Sequence, residues 1–374
     1  MSQQLRQCWF AYIVLVLNMQ DLIVYGKTKR QPQNQHEQFP CYFIFGDSFS
    51  ANGNDNGLDT FKSNYLPYGI DFLDGPTGRF SNGKIMVDII AEKIGMKDYI
   101  RPYRTVGTNR QMLKGVNYAS SGAILQLEIA GSKVNSISLG QQLKYHKKIV
   151  RRISNILGSK NMTKQYLHRC LLSVEIGCND VFNNYIPNND GSDPTPRQSP
   201  DRFAQYLVDH FFFNNLHNLH NFGAKKVVVF GLPSLGCSPA AIRMYGNGSN
   251  QDEHKCISVI NKDIQLYNSK LRTMVFNLNN YTKNAQFTYI ETSQAYQGFK
   301  NIGKACCETD LDGMCYSMGK SCNNRKDYFY WDGYRPTEAA NIILANIAYN
   351  ASVPSHAYPF NIHHLISNTT SHKS

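Results

Sequence analysis

Cys41-Tyr42-Phe43-Ile44-Phe45-Gly46-Asp47-Ser48 is a short apolar run that stops on a glycine and hands over to an acid and a serine. A buried strand with a turn at its carboxyl end reads this way. The strand proper is placed over Cys41 to Phe45, and four further runs of the same kind follow: Gly115 to Ala119, Leu171 to Ile176, Lys226 to Phe230 and Gln286 to Ile290. Between them, residues 84–94, 138–157, 201–222 and 258–278 repeat apolar residues at helical spacing, and a last helix is expected over 336–349 with Pro336 in its first turn. Strands alternating with helices, joined by crossovers long enough for right-handed units, specify an α/β fold with a five-stranded parallel sheet covered on both faces. A chain of 374 residues with 42% hydrophobic composition can build the core such a fold needs.

Ligands of open parallel sheets bind outside the carboxyl ends of the strands, so the loops just after the strands are where chemistry is sought. Those loops carry Gly46-Asp47-Ser48, Ser120-Ser121-Gly122, Gly177-Cys178-Asn179-Asp180 and, beyond the fifth strand, Asp332 with Arg335. A serine hydroxyl attacks an acyl carbon only with a base beside it, an orienting group behind the base, and donors aimed at the developing oxyanion. Ser48, at an expected strand-to-helix junction, offers a hydroxyl and its own backbone N–H; Gly122 offers an N–H with no side chain in the way; the Asn179 amide offers a third donor. Singly, each has a plainer reading as a turn, a bend or a helix cap. Their occurrence together, each at a strand end, favours the hydrolase reading.

The chain resembles the plant-type GDSL esterase/lipases of the SGNH hydrolase superfamily from Tyr42 to Tyr349. The matching pieces are Phe-Gly-Asp-Ser at 45–48 with Asn-Gly-Asn at 52–54, Gly-Pro-Thr-Gly-Arg-Phe-Ser-Asn-Gly at 75–83 and Gly-Val-Asn-Tyr-Ala-Ser-Ser-Gly-Ala at 115–123. Gly-Cys-Asn-Asp at 177–180, Gly-Leu-Pro-Ser-Leu-Gly-Cys at 231–237, Ala-Cys-Cys at 305–307 and Pro-Thr-Glu-Ala-Ala-Asn at 336–341 complete the set. The resemblance implies a three-layer α/β/α flavodoxin-like sandwich and ester hydrolysis without metal or other cofactor. It implies Ser48 as nucleophile, Ser48, Gly122 and Asn179 as the oxyanion hole, and Asp332 as the triad acid. Two positions depart from the pattern: Ala51 stands where an aspartate is usual, and Arg335 stands where the family has its catalytic histidine.

Arginine has no acceptor atom and stays protonated, so Arg335 cannot take the proton of Ser48 or return one to a leaving alcohol. The expected reading is therefore a GDSL-type ester hydrolase whose activity is weak or lost, with a silent binding module for acyl esters or wall polysaccharide as the alternative. Asp332, three residues earlier, is expected to pair with the Arg335 guanidinium over the serine. No other histidine is expected to substitute: His356, His363 and His364 lie beyond the last helix, and His146, His168, His210, His217, His220 and His254 fall on helices or peripheral loops.

The remaining signals concern the route and the surface. Residues 1–26 read as a signal peptide, with Arg6 ahead of an apolar run from Cys8 to Leu17 and small residues near Gly26. That run falls short of the roughly 20 residues that span a bilayer, and no later segment is apolar enough to do so. The expected product is secreted and extracellular, a single domain over 27–350 with a tail over 351–374, and sequons at Asn161, Asn247, Asn280, Asn350 and Asn368 fit that route. Nine cysteines remain after the leader, an odd number that leaves one thiol over. Cys306, Cys307, Cys315 and Cys322 contain no histidine among them and read as disulfides rather than as a zinc site. A formal charge of +12 suits an acidic polysaccharide partner, besides a small-molecule or lipid ester as substrate. The cluster Lys144, Lys147, Lys148, Arg151, Arg152 reads as a solvated helix face, and nucleic-acid binding is not expected.

Overall fold

The computed structural model describes residues 39–125, 136–182, 199–246, 256–282, 284–351 and 353–367. The expected signal peptide, and the sequons at Asn247 and Asn368, lie outside these residues.

Strands β1 (Tyr42–Gly46), β2 (Leu171–Glu175), β3 (Lys226–Phe230) and β4 (Gln286–Ile290) are hydrogen-bonded in that order, all parallel. Two short strands, β5 (Asn301–Ala305) and β6 (Tyr328–Tyr330), form a separate pair, and β7 (Ala357–Tyr358) adds antiparallel to β4 as the fifth strand of the main sheet. Side chains alternate across a strand. Phe43, Phe45, Leu172, Val174, Val227 and Val229 therefore pack on one face, against buried residues of helices Leu139–Leu157 and Ser258–Tyr281. Tyr42, Ile44, Leu171, Val228 and Phe230 pack on the other, against helices Met86–Lys93 and Glu338–Asn350. The result is the three-layer α/β/α arrangement expected from the pattern.

One strand differs from expectation: β7 takes the fifth place in the sheet, and the segment expected as the second strand does not join as a regular one. Gly115 to Ala119 does lie beside β1, through Ile44 N–H to Val116 O (3.0 Å) and Tyr118 N–H to Ile44 O (2.7 Å). Its other edge meets residues 101–103, and two isolated parallel bridges, Asn117 to Ile44 and Asn117 to Pro102, result rather than a regular strand. The last helix also begins later. Thr337 is its N-cap, accepting from Ala340 N–H at 3.2 Å, so Pro336 precedes the helix instead of opening it. A threonine hydroxyl satisfies an otherwise orphaned N–H, which a proline ring at that position cannot do.

The glycine-rich block at 75–83 acts as a strut. Arg79 makes a two-pronged ion pair with Asp88 (2.7 and 2.8 Å), Asp88 caps the helix at Ile85 N–H, and Asn82 Oδ1 accepts from Glu338 N–H at 2.9 Å. Disulfides join Cys41 to Cys170, Cys237 to Cys256, Cys306 to Cys322 and Cys307 to Cys315. Among the described residues the leftover thiol is Cys178, and it is buried.

Candidate active site

The register of β1 on β2 sets Gly46 opposite Glu175, so the segments leaving the two strands emerge together at the carboxyl edge of the sheet. Ser48 lies in a turn closed by Ser50 N–H to Asp47 O (3.2 Å), and no regular helix follows it. This corrects the expected strand-to-helix junction: Asn52, Asn54 and Asp55 are turned inward to grip neighbouring loops, which an α-helical path would prevent. The start of the turn is clamped from outside the sheet. Gln142 holds both peptide groups of Gly46, accepting from its N–H (3.0 Å) and donating to its C=O (2.8 Å). Gly46 has φ +157°, and a Cβ there would sit 2.4 Å from Glu175 O, so the close approach of the strands excludes any side chain.

The 120–122 loop is fixed by that inward grip. Asp55 accepts from Ser120 Oγ (2.5 Å) and Ser121 N–H (2.9 Å), while Asn54 Nδ2 donates to Asn117 O (3.0 Å) and Ala119 O (2.8 Å). Burial pushes the Asp55 carboxyl up to about 6. Gly122 then turns with φ 70°, a left-handed conformation that glycine adopts without strain. Asn179 follows β2 and donates one amide hydrogen to Ala123 O (2.9 Å), which fixes its plane and leaves its second amide hydrogen.

Trp331 N–H to Arg335 O (2.7 Å) closes a tight loop after β6, and that loop carries Asp332 and Arg335. Asp332 is fully buried and accepts four bonds: Oδ1 from the Tyr334 and Arg335 N–H groups (2.8 Å each), Oδ2 from the Tyr68 hydroxyl (2.8 Å) and Arg335 Nη1 (3.2 Å). The expected ion pair is formed. Arg335 also donates from Nε to Ser48 Oγ at 3.0 Å and from Nη1 to Met314 Sδ at 3.1 Å. Its guanidinium lies over the Phe80 ring at 4.7 Å and the Tyr334 ring at 5.2 Å. Burial is the largest single influence and works against its charge, but Asp332, Tyr68 and Tyr334 together hold the guanidinium pKa above its ordinary value. The side chain is therefore a fixed cation whose one bond to the serine points the wrong way for proton abstraction.

Ser48, Gly122, Asn179, Met314, Tyr334 and Arg335 share the lining of one cleft of about 250 Å³. No histidine is among its lining residues. His146 is instead in the core, between Phe43 and Phe45 edges with its Nδ1 3.1 Å from the Tyr118 hydroxyl, and burial lowers its pKa to about 3. The His210 side chain and His254 lie outside the described residues. Asn161, Asn280 and Asn350 are exposed.

Several members of the site were not anticipated. Tyr68 is separated from Asp332 by 264 positions, Gln142 from Gly46 by 96, and Met314 from Arg335 by 21, and no local pattern links such residues. Glu175 was hidden differently: it sits at the end of an apolar strand, accepts from Ser50 Oγ (2.7 Å), and faces the Asp47 carboxyl. Burial above all raises both acids above their ordinary range, with the Asp47 charge adding to it at Glu175 and the Asp180 charge adding to it at Asp47.

A mostly parallel sheet presenting Ser48, Gly122 and Asn179 around one cleft at its carboxyl edge is the arrangement of the ester-hydrolase class of α/β proteins. More particularly, the chain belongs to the family described as GDSL-like Lipase/Acylhydrolase, whose model matches residues 42–348. It is similar to two GDSL esterase/lipases of Arabidopsis thaliana. One is 39% identical, covering 92% of this chain and 96% of the relative; the other is 38% identical, covering 91% and 93%.

Proposed function

We propose that this protein is a secreted GDSL-type ester hydrolase by descent whose turnover is weak or lost because Arg335 occupies the place of the base. Ser48 takes the nucleophile's position, Asp332 that of the triad acid, and Ser48 N–H, Gly122 N–H and the free Asn179 amide hydrogen form the oxyanion hole. The observation that carries this reading is the bond from Arg335 Nε to Ser48 Oγ at 3.0 Å. Loss of the histidine from a serine triad costs on the order of 10⁶ in kcat, about 8 kcal/mol of transition-state stabilisation. Oxyanion donors and substrate binding retain only a small part of the acceleration.

The second reading, a binding module for acyl esters or acidic polysaccharide, is favoured by how well the cation is held. Asp332, Phe80, Tyr334 and Met314 all support Arg335, which makes it a built component of the cleft. Secretion is part of the proposal, supported by the apolar run at 8–17, the exposed sequon asparagines Asn161, Asn280 and Asn350, and four disulfides, which persist in oxidising compartments. No helix among the described residues is long and apolar enough to cross a membrane.

Hydrolysis of a short-chain aryl ester by the parent, Arg335→His and Arg335→His/Ser48→Ala proteins tests the proposal. The parent is expected at background. The Arg335→His protein should regain part of that loss, on the order of 10² to 10⁴ in rate for a general base placed in a pocket shaped for arginine, and the added Ser48→Ala change should abolish the gain. Turnover by the parent that disappears with Ser48→Ala overturns the assignment of Arg335 as a silencing residue.

A further inference from the structure

Unused hydrogen-bond donors converge on the Ser48 cleft, and one of them carries a charge. Arg335 spends Nε on Ser48 Oγ and Nη1 on Asp332 Oδ2 and Met314 Sδ. Its Nη2 keeps two hydrogens with no acceptor among the described residues, and that atom is not sealed off, although the residue as a whole is only 6% exposed. The Ser48 and Gly122 N–H groups are also without an acceptor there, as is the second amide hydrogen of Asn179. The Ser48 hydroxyl receives from Arg335, so its own hydrogen is left to give. Against this set the described lining offers a single acid, Asp312, which is exposed.

The rest of the lining adds a second, independent signal. Leu235 and Met314 are buried, whereas Phe61, Met244 and Leu311 are exposed, so apolar surface runs from the interior of the cleft out to solvent. Large apolar side chains gathered at one cleft gain free energy when something apolar covers them. At about 250 Å³ the cleft lies below the roughly 300–1,000 Å³ of sites for drug-sized ligands, which limits its occupant to a small head and a slim chain. An ester carbonyl offers one neutral oxygen to the backbone donors and no charge to Nη2. A carboxylate offers two charged oxygens, one for the Ser48 and Gly122 N–H groups and one for Nη2, and charge-assisted bonds of this kind are roughly twice as strong as neutral ones. Asp332 already offsets the charge of Arg335, so the free hydrogens on Nη2 do the selecting rather than a net positive field. Inorganic phosphate would satisfy the donors and leave the apolar lining wet.

We propose that the cleft binds the carboxylate of an aliphatic monocarboxylic acid, a fatty acid in its free form, in preference to the neutral ester of the same acid. Arg335 Nη2, Ser48 and Gly122 receive the head, and the tail leaves past Phe61, Met244 and Leu311. This rests on the binding-module reading of the same cleft and gives it a ligand class: the acid that a hydrolase would release is what this molecule retains.

The test is calorimetric titration of the folded protein with octanoate, methyl octanoate, acetate and inorganic phosphate. Octanoate should bind the parent about tenfold or more tightly than each of the other three. Arg335→Gln should remove the preference for acid over ester. The exposed triple change Phe61→Ser/Met244→Ser/Leu311→Ser should weaken octanoate about fivefold or more. The comparison of ligands on the parent needs no variant, so it decides the matter even where Arg335→Gln folds poorly. Methyl octanoate, acetate or phosphate binding as tightly as octanoate overturns the proposal, and so does a parent that does not bind octanoate. An unchanged preference in a folded Arg335→Gln protein, or unchanged octanoate affinity in the triple variant, overturns it as well. Kinetics at position 335 separate the two readings: a parent that turns over through Ser48 refutes the silencing role of Arg335 whatever its affinity for octanoate, and a silent parent that ignores octanoate refutes only the fatty-acid ligand.

Discussion

Asp332 is the residue on which the rest of the cleft hangs, because among the described residues it is the carboxylate ion-paired with the buried Arg335. Replacing it by alanine leaves a cation 6% exposed without its ion-pair partner and takes the carboxylate acceptor from the Tyr68 hydroxyl. Breaking one side of a buried pair costs about 3–5 kcal/mol. Tyr68→Phe removes one of four bonds to the same carboxylate and should cost only about 1–2 kcal/mol. Urea unfolding midpoints of the two variants check the ordering, and equal shifts would refute the idea that Asp332 serves mainly as the arginine's counter-ion. At this scale the sequence was informative where a short motif carried the meaning. Ser48, Asn179, Asp332 and Arg335 follow strand ends and Gly122 follows the strand-like segment 115–119, and the structure brings Ser48, Gly122, Asn179 and Arg335 into one cleft with Asp332 bonded behind them. Tyr68 and Gln142 were not legible, since their partners lie far away along the chain and an isolated tyrosine or glutamine has many uses.

The element with the most unusual content is β2, whose last residue is a buried glutamate in a run that otherwise reads as core. Glu175 faces Asp47, and burial raises the pKa of both. The sign of the consequence follows from linkage. A carboxyl whose folded pKa lies above its unfolded value of about 4.3 stabilises the fold fully below that pH, and the contribution is lost as pH rises through the folded value. Glu175→Gln keeps an acceptor for Ser50 and removes the titration. Its stability should match the parent near pH 4 and exceed it above neutrality by on the order of 1 kcal/mol, measured as the difference in denaturation midpoint across pH. A constant difference at all pH values would mean that the change acts through packing instead. The elements that the sequence failed to announce were the short ones. β6 has three residues and β7 two, too few for any alternation to register. The segment 115–119 has the apolar alternation of a strand, but Asn117 turns its amide to Ser50 O and its carbonyl to Tyr103 N–H, which diverts the backbone from a regular ladder.

Across the whole molecule, the disulfides divide into one that spans the fold and three that tidy its loops. Cys41 and Cys170 stand just before β1 and β2 and close a separation of 129 residues, so this bond joins the two strands whose carboxyl ends present Ser48 and Asn179. Cys307 and Cys315 close a separation of only 8, within the segment that leads from β5 toward β6. In chain-entropy reasoning a cross-link stabilises by restricting the unfolded chain, and the restriction grows with the logarithm of the loop closed. Removing the long cross-link as Cys41→Ala/Cys170→Ala should cost about 5 kcal/mol, and removing the short one as Cys307→Ala/Cys315→Ala about 2.5 kcal/mol. Both pairs are buried, so the truncation itself subtracts a similar amount of packing from each variant and the difference isolates the loop term. Guanidinium denaturation of the two double variants reads that difference directly. If the short cross-link proves the more important of the two, the β5–β6 region that supports Asp332 and Arg335 is held by its disulfides rather than by the core, and the candidate site would then loosen under reducing conditions before the sheet does.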